Sequence, residues 1–135
     1  EGYHISDRSK YIGGSDIPAI MDCDKYGKSI ADVVAHKSGI HKPDDISKLP
    51  HVQRGIIAEP AARQMANDIL QADFKETFVG HSSKPHLGGN VDGYCEKTFQ
   101  VLEIKTTGKQ AHEDFRKTKT VPRHHNVQLQ FYMAL

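Results

Sequence analysis

The spacing of apolar positions changes character about halfway along the chain. Before residue 71 they recur every three or four residues, the period of a helix; from Phe74 to Lys105 they tend to alternate with polar ones, the period of a strand. Gly13-Gly14, then Ser15-Asp16 and Pro18, reads as a turn into a short helix, with Ser15 or Asp16 as N-cap and the proline in its first turn. Ser29 to Asp32 has capping-box spacing with Asp in place of Glu. It predicts a helix with Ile30, Val33, Val34 and Lys37 on one side and a stop at Gly39. Residues 40–50 read as a polar loop. A longer helix is predicted from about His51 to Leu70, with Ala58, Ala61, Ala62, Met65 and Ile69 on one apolar face and Pro60 as a kink or restart.

The second half begins with a strand over Phe74–Val79 and a glycine-rich extended segment over Leu87–Tyr94. Glu96-Lys97-Thr98 reads as a turn into the clearest strand, Phe99–Lys105. A short helix follows at 109–116, and Pro122 opens a last helix whose Phe131, Met133 and Leu135 are expected, with Met65, to be core. No repeat or linker divides the chain. Helices, about three strands, then helices predict one mixed α/β (α+β) domain over residues 1–135.

Composition narrows the class. The 135 residues are 37% hydrophobic and 26% charged, with no Trp and a mean hydropathy of −0.59. This is the profile of a polar globular protein large enough to bury a core. No apolar run approaches the roughly 20 residues of a membrane span, and the opening EGYHISDRSK does not read as a signal peptide. Two cysteines, Cys23 and Cys95, cannot build an all-cysteine zinc site or a four-cysteine iron–sulfur cluster; they could form one disulfide at most and fit a reducing cytoplasm equally well. Nine histidines invite a zinc reading. However, no HxxxH or CxxC spacing appears, and His124 and His125 are expected to point apart on their helix. No nucleophile elbow supports a Ser–His–Asp arrangement. The net charge of +1 excludes a basic DNA-coating protein, but residues 106–135 carry 5 basic against 2 acidic side chains, a local seat for an anion or simply a solvated face.

Candidate chemistry lies in the strands. In Val101-Leu102-Glu103-Ile104-Lys105, alternation puts Glu103 and Lys105 on one face with Val101, and Leu102 and Ile104 on the other, toward a core. Alone, that reads first as a cross-strand ion pair on a solvated face and only second as a site. Asp92, in Gly88-Gly89-Asn90-Val91-Asp92-Gly93, sits on the preceding extended segment, so a hairpin would bring it beside Glu103. Asp92-Gly93 can also be read as turn chemistry. Two convergent carboxylates with a backbone carbonyl make a hard oxygen site suited to Mg²⁺ or Mn²⁺. A nearby lysine can stabilise charge on a phosphate or orient a water.

Asp92, a hairpin and Glu103-Ile104-Lys105 resemble the (D)…(D/E)xK signature of the PD-(D/E)xK nuclease superfamily. Further blocks resemble its phage lambda-type exonuclease and YqaJ-like viral recombinase group: Arg8 with Ile12-Gly-Gly-Ser15-Asp16, Gly55 to Pro60, Val91-Asp92-Gly93, Leu102 to Thr106, and Pro122 with Gln128-Leu-Gln130-Phe-Tyr132. The resemblance implies a restriction-endonuclease-like core, a central mixed β-sheet flanked by helices, with the chain stopping before the family's further strand and helix. It implies Glu59, Asp92, Glu103, Lys105 and Gln128 as catalytic residues. Asp92, Glu103, the Ile104 carbonyl and Glu59 would be placed around Mg²⁺, with Mn²⁺ as substitute. Arg8 and Ser15 would bind a 5′ phosphate, with Asn90 and Tyr132 also on the DNA. The family often has Ser-Pro where this chain has Asn90-Val91.

The implied activity is metal-dependent hydrolysis of DNA, most simply as a 5′→3′ exonuclease on linear duplex ends in phage-type recombination. Implied partners are double-stranded DNA ends, a single-strand annealing protein and further copies of the chain in a ring, within the cytoplasm of a bacterial host. Two alternatives stay open: a structure-specific endonuclease of the same superfamily, or a module that binds DNA ends or inhibits without cutting.

Overall fold

The computed structural model describes residues 7–135; the first six residues of EGYHISDRSK lie outside the described part. Two short 3₁₀ turns, Arg8–Lys10 and Gly14–Asp16, lead into α1 (Ile17–Ile20), α2 (Ile30–Lys37) and α3 (Pro50–Leu70). Three strands follow, β1 (Lys75–Gly80), β2 (Gly88–Cys95) and β3 (Gln100–Leu102), then α4 (Lys109–Thr118) and α5 (Arg123–Ala134). The mixed α/β class is as expected. The sheet runs β1-β2-β3 with both pairings antiparallel. Among the described residues its parallel component is a single bridge, Ile12 to Leu87. That bridge has a purpose in the fold: Ile12 N–H donates to the His86 carbonyl at 2.8 Å and Gly88 N–H to the Ile12 carbonyl at 3.2 Å, pinning the N-terminal turns to the start of β2.

β2 is the central strand and the most enclosed. Gly88, Val91, Gly93 and Cys95 are buried along it, and Val91 and Cys95 are each 1% exposed. Gly93 is obligatory for close packing, since a Cβ there would lie 2.8 Å from Phe74 Cβ and 3.1 Å from Leu102 Cβ. The rest of the core is Ala19, Val33, Phe74 and Tyr132. Both cysteines are free thiols.

The capping box of α2 forms as expected. Ser29 N–H and Oγ both donate to Asp32 Oδ2 at 2.7 Å, and Asp32 N–H returns to Ser29 Oγ. Gly39 takes the left-handed conformation just beyond the helix. Only Val33 of the expected apolar face is buried; Ile30 and Val34 are exposed. In the first turn Asp16 is the N-cap of α1 with Pro18 behind it, yet its carboxylate does not cap that helix. It reaches back to Gly13 N–H at 3.0 Å.

Three expectations change. α3 continues as one helix through Pro60, so no restart occurs there, and Met65 and Ile69 are exposed rather than core. Its inner face is Val52, Gly55, Ala58, Glu59, Ala62, Arg63, Ala66 and Asn67, and its end is tied to the residue before β1 by polar contacts: Asn67 takes Phe74 N–H on Oδ1 and donates Nδ2 to the Phe74 carbonyl. On α5, Met133 is exposed and Phe131 and Leu135 are half-buried, the inward positions going to Gln128 and Tyr132. Finally, β3 is shorter than Phe99–Lys105. Phe99 is exposed in a left-handed turn. At the other end the ladder stops after Gly93↔Leu102, because Ile104 N–H donates to the Asp92 carboxylate at 2.7 Å in place of a strand carbonyl. Leu102 and Ile104 are accordingly only half-buried.

Candidate active site

Asp92 directly precedes and Glu103 directly follows the last ladder pair of β2 and β3, Gly93↔Leu102, so both leave the hairpin at the same end, and both line one cleft. Lys105 Nζ lies 2.7 Å from Glu103 Oε1. The expected same-side placement of Glu103 and Lys105 thus holds although both lie past the end of β3. From α3, Glu59 is held by Arg63, four residues on. The Arg63 Nε donates to the Asp92 backbone carbonyl and so ties α3 to β2, while its guanidinium lies 3.9 Å from Glu76 Oε2 on β1.

All three expected acids have raised pKa values, and burial is the largest cause for each. Asp92 is pushed up by desolvation, opposed by the Ile104 N–H and the charge of Lys105. Glu103 is raised by desolvation and by Asp92 and Glu59, against Lys105. Glu59 is raised by desolvation and by Asp92, against Arg63. Half-buried carboxylates that repel one another form a donor set that a hard divalent cation would neutralise. Among the described residues no three His, Cys, Asp or Glu side chains are gathered closely enough to ligate one ion. A cation here would therefore rest on Asp92 and Glu103, with a backbone carbonyl and waters completing its shell. That set suits Mg²⁺, which keeps several of its waters.

The carboxylates form part of the wall of a cleft of about 170 Å³. Seven of the expected site residues line it: Arg8, Ser15, Asn90, Asp92, Glu103, Gln128 and Tyr132. Glu59, Ile104 and Lys105 are not among its lining residues, and reach the site through Asp92 and Glu103. Gln128 and Tyr132 share one face of α5, as their spacing requires, and Gln128 Nε2 lies 3.5 Å from the Tyr132 hydroxyl. Burial raises the tyrosine pKa to about 12, so it is a protonated donor at neutral pH. Its ring fills the space left by two glycines: a Cβ on Gly14 would lie 2.3 Å from Tyr132 Cζ, and one on Gly89 3.1 Å from Cε1.

Arg8 makes no ion pair with any described residue; Asp7 is paired with Lys10 and Asp16 with two other lysines. His124 and His125 do not point apart, as their ring centroids are 4.0 Å apart. Burial, His124 and the charge of Lys105 lower His125 to about 4, so it is neutral at pH 7.

Sequence reasoning missed four residues: Arg63, Glu76, Asp16 and Lys37. The i,i+4 spacing of Glu59 and Arg63 was a usable signal for the first. Glu76 joins the site across the sheet, and the other two meet over a distance no local pattern reveals.

The architecture is a mixed α/β fold shared with a solved nuclease. An alkaline exonuclease from Laribacter hongkongensis, LHK-Exo, superposes with a TM-score of 0.73 at 21% identity, over 94% of this chain and 64% of that one. The same enzyme in complex with dAMP gives 0.72 at 20% identity, with the same coverage. At that identity the likeness shows the fold, and this chain spans 64% of the exonuclease's length. No curated protein matches the chain. The family of YqaJ-like viral recombinase domains matches residues 4–135, and the chain belongs to that family.

Proposed function

We propose that this chain is a divalent-metal-dependent deoxyribonuclease that degrades linear duplex DNA from its ends in the 5′→3′ direction. The observation that carries the reading is the juxtaposition of Asp92 on β2 and Glu103 just past β3, with Lys105 paired to Glu103, at a cleft whose lining includes Arg8, which has no ion-pair partner among the described residues. Membership of a viral recombinase family and a fold shared with an alkaline exonuclease support it.

Asp92 and Glu103 would hold Mg²⁺, with Mn²⁺ able to substitute, the Ile104 carbonyl as a further ligand and Glu59 close by. When bound, the cation supplies Lewis-acid polarisation of the phosphodiester and a more acidic water. The chain's own groups do the rest. Lys105 stabilises negative charge developing on the phosphate. Arg63 fixes Glu59 through Oε1, so Oε2 is the oxygen that orients a water or takes its proton. Gln128 and the protonated Tyr132 donate hydrogen bonds into the cleft. Arg8 offers a fork of donors matched to a terminal phosphate, with Ser15 and Asn90 adding hydrogen bonds.

The test is digestion of end-labelled linear duplex carrying a 5′-phosphate or a 5′-hydroxyl, in Mg²⁺ or EDTA, with a closed circular duplex as the substrate without ends. Cleavage is expected only with metal and only on the linear form, faster with the phosphate, and Arg8→Ala should reduce that preference by roughly 1–3 kcal/mol. Equal cutting of the circle would replace the exonuclease by an endonuclease. Binding of ends without cutting in any metal would remove the nuclease reading.

A further inference from the structure

Asp16 is one of two polar residues that the described fold buries almost completely, at 5% exposed, and the proposed hydrolysis has no use for it. Its carboxylate is fully engaged. Oδ2 accepts from Gly13 N–H at 3.0 Å and lies 3.0 Å from Lys37 Nζ, while Oδ1 lies 3.5 Å from Lys28 Nζ. Lys37 Nζ also donates to the Arg8 backbone carbonyl at 2.6 Å. One buried carboxylate thus fastens the end of α2 to Gly13-Gly14 and, through Lys37, to the turn that carries Arg8.

Burying a carboxylate costs free energy that an apolar residue would not, so its value lies in what it arranges. Both Asp16 and Lys37 line the same cleft as Arg8, Ser15 and Asn90. An isolated carboxylate there would repel an incoming phosphate; two lysines over-neutralise it, so the group as a whole is cationic. An ammonium has three donors. Two of those on Lys37 go to Asp16 and the Arg8 carbonyl, which leaves one for a ligand in the cleft.

We propose that Lys37 is a second cationic determinant of the seat for the DNA 5′ phosphate, and that Asp16 is the positioning residue that holds Lys37 and the Arg8 turn in register. This rests on the reading of the cleft as the place where a DNA end sits. Asp16 touches neither the substrate nor the reacting atoms. It acts through Lys37, and Lys37 acts on selection of the end rather than on bond cleavage.

The experiment is binding, measured in EDTA so that nothing is cut, of fluorescent duplexes that differ only in a 5′-phosphate or 5′-hydroxyl. Wild type, Lys37→Met, Lys37→Arg and Asp16→Asn are compared, each checked by thermal melting. Wild type should prefer the phosphate. Lys37→Met should reduce that preference about tenfold, the scale of one charge-assisted hydrogen bond, with affinity for the hydroxyl end nearly unchanged. Lys37→Arg should restore most of it, and a folded Asp16→Asn should resemble Lys37→Met.

A merely structural role would weaken both ends alike, and that result overturns the proposal, as does an unchanged preference in Lys37→Met. A wild type without any phosphate preference also overturns it, while metal-dependent digestion of linear duplex would still stand. A preference that depends on Lys37 in a protein that never cuts would leave the proposal intact and remove the nuclease.

Discussion

Asp92→Asn separates the two roles of the central carboxylate, because it removes the charge and keeps the shape. In the folded protein Asp92 faces Glu59, Glu103 and Glu76, and each of the first two is raised in pKa by its charge. The Asn oxygen can still accept the Ile104 N–H bond of 2.7 Å, so the backbone closure of the β2–β3 end survives. Without metal, relief of repulsion and desolvation should leave the variant as stable as wild type or up to about 1 kcal/mol more so, a rise of roughly 4 °C or less in Tm. Asp92→Ala removes that acceptor too and should cost about 1–3 kcal/mol. Cleavage in Mg²⁺ should fall by at least about 10²–10³-fold in both, the scale for losing one electrostatic contributor. Calorimetry in EDTA and in Mn²⁺, beside the end-labelled digestion, reads all of this. Mn²⁺ should raise the melting temperature of wild type and not of Asp92→Asn. If Asp92→Asn in EDTA is destabilised as much as Asp92→Ala, or if it still gains stability from Mn²⁺, the assignment of Asp92 as a repelled metal ligand is wrong.

Other outcomes follow from neighbouring residues. Lys105→Ala should nearly abolish cleavage with duplex binding close to wild type, since one lysine is a small part of a phosphate-contacting surface; parallel loss of both in gel-shift and digestion assays would make it a binding or structural residue. Gly14→Ala puts a methyl group 2.3 Å from Tyr132 Cζ and should cost about 1–3 kcal/mol by overpacking, with Tyr132→Ala in the same chain recovering part of the loss in denaturant melts. Glu59, Asp92 and Glu103 have folded pKa values above their ordinary values of 4.5, 3.8 and 4.5. Between those values and the raised ones the folded state binds more protons than the unfolded state, so these groups make stability fall as pH rises through that window. Urea titrations in EDTA from pH 4 upward should show this trend in wild type, and the triple variant Glu59→Gln, Asp92→Asn, Glu103→Gln should show less of it; an equal slope in the two would refute the cause.

Local chemistry alone determined a good deal about this protein. The Ser29/Asp32 capping box, the Gly39 stop, the three strands and the α5 face carrying Gln128 and Tyr132 follow from interactions between residues a few positions apart, which a sequence displays directly. The approach of Asp92 to Glu103 was legible for the same reason, since a short hairpin leaves few registers open. Tertiary structure decided what depends on partners far away in the chain. The inner face of α3 joins small residues to polar ones that tie Glu59, Asp92 and Phe74 together through Arg63 and Asn67, so an apolar-periodicity argument found Ala58 and Ala62 but also selected Ala61, Met65 and Ile69, which are exposed. The shortened β3 reflects a side chain taking a backbone donor, which no strand propensity encodes. Asp16 read as a helix cap from its neighbours, yet burial and two lysines, 12 and 21 residues away, make it the anchor of the cleft's rim. Charge pairing in a desolvated site is set by which distant groups the fold brings within a few ångströms, and that information exists only once the chain has closed.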